Sequence, residues 1–196
     1  MRKLETILYF VRHAESPYSK QHERERGLSS KGQADAAMAA ALLEHEKIDV
    51  IVCSPYVRAM ETIRRISEQK GLSIETYEDL RERTLAGPDY DIPFESFFDA
   101  IQRCFQEPDY AFPGGESNKS AQARAVKVLD KIIRDHPNES IVVGTHGNIM
   151  TLLLQHFDPQ IGYDFWRSIS MPDIYRLTLE DGMLRELKRI WKDQTH

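Results

Sequence analysis

An α/β fold is the architecture this sequence predicts: a three-layer αβα sandwich, a mostly parallel sheet with helices on both faces. Two observations carry it. Short apolar runs rich in β-formers alternate with longer stretches whose apolar residues recur at helical spacing. Neither an internal repeat nor a low-complexity linker interrupts that alternation. With 196 residues the chain can bury a sizeable core, and it reads as one domain over 1–196.

Taken in order, "TILYFV" (Thr6–Val11) is the first buried strand. "LSSKGQADAAMAAALLEHE" follows as a helix, with Ser29 and Ser30 as candidate caps and Ala34, Met38, Ala41 and Leu42 at helical spacing. "IDVIVCS" (Ile48–Ser54) is the second buried strand. Ser54 then fits an N-cap and Pro55 the first helical position of a helix reaching about Lys70, with Gly71 as its stop. "LSIETY" is a weaker strand. An irregular stretch at about 84–118 holds four prolines and many aromatics, and is expected to be a variable lid or specificity segment. Its Phe-rich part before Pro108 suits a short helix with one apolar face, and its aromatics are expected to pack rather than to recognise a ligand.

Ala121, Ala125, Val128, Leu129, Ile132 and Ile133 mark an amphipathic helix that ends at His136-Pro137. "SIVVGT" is the third buried strand, with a helix from about Asn148. "IYRLTLEDGMLRELKRIW" alternates around Asp181-Gly182 as a hairpin. Its apolar end near Trp191 offers a face to a second copy of the chain, which leaves a homo-oligomer open.

Composition narrows the function classes. A net charge of -5 argues against nucleic-acid or acidic-membrane partners, which call for a basic face. An anionic ligand must therefore be held by a local basic cluster. Cys53 and Cys104 form no pattern, which points to a reducing compartment. With no secretion signal and no membrane span in view, the expected location is cytoplasmic.

Parallel strands bring their carboxyl ends to one edge of the sheet, where ligands of open α/β sheets bind. The first strand ends in Arg12-His13, the second in Ser54-Pro55 with Arg58 one turn on, and the later one in "GTHGN", with His146 at its tip. Two histidines and two arginines thus converge with helix N-termini, and Gly147 allows close backbone approach. Guanidinium forks match phosphate oxygens and repel a divalent cation. No zinc-ligand spacing and no glycine-and-lysine phosphate loop appears, so no metal and no other cofactor is expected. A histidine facing a phosphoryl group can attack phosphorus and split one displacement into two. Arg12, Arg58 and His146 then serve as the clamp. A carboxyl from "EDLRER" (Glu78, Asp79 or Glu82) is left to protonate the leaving group.

These residues resemble the histidine phosphatase superfamily, which includes phosphoglycerate mutases and fructose-bisphosphate phosphatases. "FVRHAES" is similar to its RHG-type signature, and "LSSKGQADA" to its Leu-Thr-x-x-Gly segment, with the Gln displaced. "VCSPYVRAMET" resembles its Ser-Pro-x-x-Arg-Ala-x-x-Thr motif. "LRER", "FPGGES" and "VGTHGNIM" resemble its acid-glutamate, Gly-Glu-Ser and second-histidine segments. The resemblance makes His13 the nucleophile and Glu82 the proton donor. His146 completes the phosphate pocket with Arg12, Arg58 and Gly147. The chain departs at Ala14 (usually Gly), at Ser16 (usually Thr), and at Ser19, where an asparagine often reaches the phosphate. The stretch after Glu82 also departs from the mutase pattern.

The resulting expectation is a metal-independent phosphatase. It takes a small phosphorylated metabolite, or inorganic phosphate as ligand, and works through a phosphohistidine. A mutase-type phosphotransferase and a catalytically weak phosphate- or phosphoprotein-binding module are the alternatives. Arg24 and Arg26 in "KQHERERG" read as solvated charges, and His22, His45, His136, His156 and His196 as surface residues.

Overall fold

The computed structural model describes residues 5–19 and 22–192, so His196 lies outside the described residues. Among the described residues, six strands form one sheet in the order β3-β2-β4-β1-β5-β6. They are β1 (Glu5–Arg12), β2 (Val50–Cys53), β3 (Ile74–Thr76), β4 (Ser140–Thr145), β5 (Asp173–Glu180) and β6 (Met183–Arg189). The first four pair in parallel, while β5 runs antiparallel to both β1 and β6. The hairpin turn falls at Asp181-Gly182 as expected, with both residues at positive φ, 51° and 79°.

Among the described residues, six α-helices flank the sheet: α1 (Ser30–Leu42), α2 (Val57–Lys70), α3 (Phe97–Gln106), α4 (Asn118–Asp135), α5 (Gly147–Phe157) and α6 (Tyr163–Ser168). Strand alternation divides the core. Tyr9 and Val11 join Ala39, Ala40 and Leu43 at the end of α1 and Ala59, Ile63 and Ile66 of α2. Leu8 and Phe10 join Ala121, Ala125 and Leu129 of α4 and Ile149 to Leu154 of α5. Topology accounts for the division. The chain steps outward from β1 to β2 to β3 and then returns to β4, and crossovers of one hand taken in opposite directions lie on opposite faces.

Several local expectations are corrected. In α1 the buried residues are Gly32, Asp35, Ala36, Ala39 and Ala40, not the face of Ala34, Met38, Ala41 and Leu42. Alanine on all sides leaves that helix no strong apolar stripe, so tertiary fit chooses the face. Gly32 shows what fits: a Cβ there would stand 2.1 Å from the Glu15 carbonyl oxygen. Ser29 caps α1 as expected, its Oγ accepting from Gly32 N.

Helix α2 starts two residues later than Pro55, with Tyr56 at the N-cap position and no side-chain cap there; Ser54 Oγ accepts from Tyr56 N at 3.3 Å and also meets His146. Trp191 is buried in the chain's own core rather than presented to a second copy. Within the stretch 84–118, α3 is the short helix expected. Phe94 is 87% exposed, whereas Phe97 and Phe98, 36% and 43% exposed, pack against each other and against Trp166 of α6.

Candidate active site

Register places the chemistry. Arg12 of β1 stands opposite Thr145 of β4, and Cys53 of β2 opposite Gly144. Just past those ends, His13 N donates to Thr145 O at 3.0 Å and Ser54 N to Gly144 O at 2.9 Å. His146, next after Thr145, therefore stands between His13 and Ser54. Its ring meets the His13 ring edge-on, with centroids 5.2 Å apart, and its Nε2 lies 2.8 Å from Ser54 Oγ.

Both rings are buried, His13 6% exposed and His146 fully enclosed. Burial and then the nearby Arg58 charge hold both imidazoles well below the usual histidine range, with Arg12 and Arg26 adding to the effect. Both are neutral at pH 7. The His13 Nδ1 lies 2.8 Å from the Ala14 carbonyl, which can only accept, so Nδ1 carries the proton. The lone pair is left on Nε2.

Ala14 is itself buried, and its N–H donates to Thr62 Oγ1, which in turn donates to Arg58 O. Its φ is not positive, so the backbone there does not call for glycine. Thr62 closes the Ser-Pro-x-x-Arg-Ala-x-x-Thr segment. Sequence reading gave it no role, although its spacing from Arg58 puts the two on one helix face.

The arginines are held from behind. Arg12 Nη1 donates to Ile169 O and Ser170 O, each at 3.0 Å. Gly147 makes room for this: a Cβ there would stand 3.1 Å from the Arg12 Cζ. Arg58 is 1% exposed, lies 4.9 Å over the Tyr56 ring and donates through both Nη groups to Glu23. Among the described residues, Arg12 Nε, Arg58 Nε, His146 Nδ1 and Thr145 Oγ1 are buried with no hydrogen-bond partner. Each such group costs about 1–3 kcal/mol unless something bonds it.

Of the carboxylates left open by the sequence, Glu82 reaches this edge. Its oxygens accept from Asn148 N at 3.2 Å, Ile149 N at 3.3 Å and Arg83 N at 2.8 Å, so it caps the start of α5 directly after His146. Glu78 instead pairs with Arg24 at the surface, and Asp79 with Arg81. Ser19, half-buried, is tied to none of these groups among the described residues.

Enclosed imidazoles and guanidiniums at the carboxyl edge of such a sheet define a site for an oxyanion. The chain belongs to the histidine phosphatase superfamily (branch 1), whose family model matches residues 8–189. It is 30% identical to phosphoserine phosphatase 1 of Hydrogenobacter thermophilus over 147 residues, 71% of this chain and 70% of that protein. Its fold is shared by a mycobacterial glucosyl-3-phosphoglycerate phosphatase (TM-score 0.75, 20% identity, covering 95% of this chain and 97% of that one). It is shared equally by a phosphoglycerate mutase from Bacillus anthracis (TM-score 0.76, 18% identity, covering 96% and 93%). Among the described residues no helix is long and apolar enough to cross a membrane.

Proposed function

We propose that this protein is a phosphoric monoester hydrolase that works through a phosphohistidine on His13, without a metal. The observation that carries the reading is the tautomer of His13. Its Nδ1 proton is committed to the Ala14 carbonyl, which leaves the lone pair of the neutral ring on Nε2, beside a His146 ring and two arginines that carry unpartnered donors.

In the first half-reaction Nε2 attacks phosphorus, an N–P bond forms, and the P–O bond to the leaving group breaks. Glu82 gives the leaving oxygen its proton. In the second half the Glu82 carboxylate takes a proton from water, the hydroxide oxygen bonds to phosphorus, and the N–P bond breaks. Inorganic phosphate departs and His13 is again neutral. Arg12 and Arg58 offer their unpartnered Nε–H groups to the equatorial oxygens, where charge is spread in the transition state. With Ser54 donating to His146 Nε2, that ring offers a Nδ1 proton to the same oxygens. Charge-assisted bonds from guanidinium supply what a metal supplies elsewhere.

The phosphatase reading over the mutase one rests on the relative with the matching sequence, named a phosphoserine phosphatase; the mutase likeness concerns the fold alone. We assign the choice of ester to the segment at about 84–118, whose exposed phenylalanines stand beside α6. Ser19 is retained as a minor phosphate contact.

Hydrolysis of p-nitrophenyl phosphate in the presence of EDTA tests the proposal. Turnover is expected, and His13→Ala should abolish it without loss of fold by circular dichroism. Silence across a broad panel of phosphate esters, or full activity in His13→Ala, would overturn it.

A further inference from the structure

The loop entering α1 carries a carboxylate that the reaction above does not use. Glu23 Oε1 accepts from Arg58 Nη2 at 2.7 Å and from Arg26 Nη2 at 3.3 Å, and its Oε2 accepts from Arg26 Nε at 2.8 Å. The Glu23 carbonyl takes Arg58 Nη1 as well. One residue thus binds the Nη1/Nη2 end of the Arg58 fork and leaves the Nε edge unpartnered.

Arg26 is positioned further. Its Nη1 donates to Ser16 O at 3.1 Å, three residues beyond the nucleophile, so the guanidinium lies between Arg58's carboxylate partner and the loop that follows His13. Its charge reaches both imidazoles. Arg24, two residues earlier, turns the other way to pair with Glu78, with side chains 49% and 52% exposed. The neighbouring arginines of "KQHERERG", alike in the sequence, therefore have different destinations.

Exposure orders the cluster. Glu23's side chain is 37% exposed, Arg26's 13% and Arg58's 1%. The anion stands on the solvent side and the cations on the inner side. Tyr56 stacked against Arg58 fixes the plane of that fork, and Glu23 fixes its rotation.

We propose that Glu23 is the positioning residue of a two-arginine clamp, and that through it Arg26 joins Arg58 as a phosphate-binding guanidinium. The inference rests on the phosphatase reading and deepens it.

The test uses three variants of the full chain: Glu23→Gln, Arg26→Lys and the double variant. The readouts are KM and kcat for p-nitrophenyl phosphate, the inhibition constant of vanadate, and the melting temperature. Glu23→Gln removes the charge that aligns two forks, and should weaken vanadate binding and raise KM by about tenfold, as befits one or two charge-assisted bonds. Arg26→Lys keeps the charge and loses the fork; it should weaken vanadate binding similarly. The double variant should fall well short of the product of the two effects, because Glu23 acts partly through Arg26. The melting temperature reports any purely structural contribution separately. If Glu23→Gln tightens vanadate binding, or lowers stability with vanadate binding unchanged, the proposal is overturned. Strictly multiplicative effects would overturn the coupling of Glu23 to Arg26. A wild-type protein that neither turns over nor binds vanadate would overturn the phosphatase reading and this inference with it. Wild-type binding with both variants unaltered would overturn the inference alone.

Discussion

At residue scale the account turns on two rings kept neutral by enclosure. Both have basicities pushed below the ordinary histidine range by burial and by the Arg58 charge, so the nucleophile stays unprotonated in mildly acidic solution. Proton-coupled ¹⁵N NMR of the imidazoles should show both neutral through pH 6.5 and titrating only well below it. Titration of His13 near 6.5 would contradict the enclosure. The same shift bears on stability. The unfolded chain takes up protons near 6.5, while the folded chain does so only at lower pH. The contribution is therefore fully present above 6.5 and is lost as pH falls below it, at up to about 1.4 kcal/mol per pH unit for each ring.

Glu82→Gln should cut turnover of alkyl phosphates by about 10²–10⁴-fold. It should slow p-nitrophenyl phosphate far less, since that leaving group departs without a proton; equal losses on both substrates would refute the acid's role. Arg12, His13 and His146 stood out as candidates in the sequence because each lies at a strand end, and Arg58 because it falls one turn into the next helix; Glu82 was one of three neighbouring carboxylates, singled out only by the resemblance. Ser54, Tyr56 and Glu23 were not legible as site residues. Their partners are 92, 90 and 35 positions away or face them only after folding, and no local pattern encodes such distances.

At element scale, helix starts carry much of the site. Glu82 rather than a neighbouring Ser or Asp caps α5, which ties the acid to the strand that bears His146. Gly147 keeps this junction open for Arg12. Gly147→Ala brings a methyl to 3.1 Å from the guanidinium carbon, and the displaced fork should lower kcat/KM by about ten- to a hundredfold. Unchanged kinetics would show that Arg12 yields without consequence. Ser117 caps α4 by accepting from Ser120 N at 3.1 Å. Ser117→Ala should cost about 1 kcal/mol, or roughly 2–4 °C in melting temperature.

Elements with strong periodicity were legible, α4 and the buried β4 above all. The alanine-rich α1 was readable as a helix but not as a face, because every side offered a small apolar group. The start of α2 was misplaced for a different reason. Ser54 satisfied a local rule for capping and does accept from Tyr56 N, but the same hydroxyl also meets His146 and the helix winds only from Val57.

At the scale of the whole molecule, the sheet order is what makes the site. Placing β4 between β1 and β2 brings residues 13, 54 and 146 into one row. The alternation of apolar runs and helices revealed the layered class, since burial on both faces leaves its mark along each strand. Strand order was not legible, because it depends on which crossover returns and on which side. Phe94 was read as packing for a related reason: aromatic content signals burial on average, and only the surface shows that this ring departs from it.

The central claim is that a covalent phosphoenzyme forms at His13, and rapid acid-free quenching with a ³²P-labelled ester tests it most directly. The account predicts a label that appears within the first turnover, is stable to base and labile to acid, maps to the peptide bearing His13, and is absent from His13→Ala. Phosphate release with no labelled protein at any time, or a label carried by another residue, would contradict it.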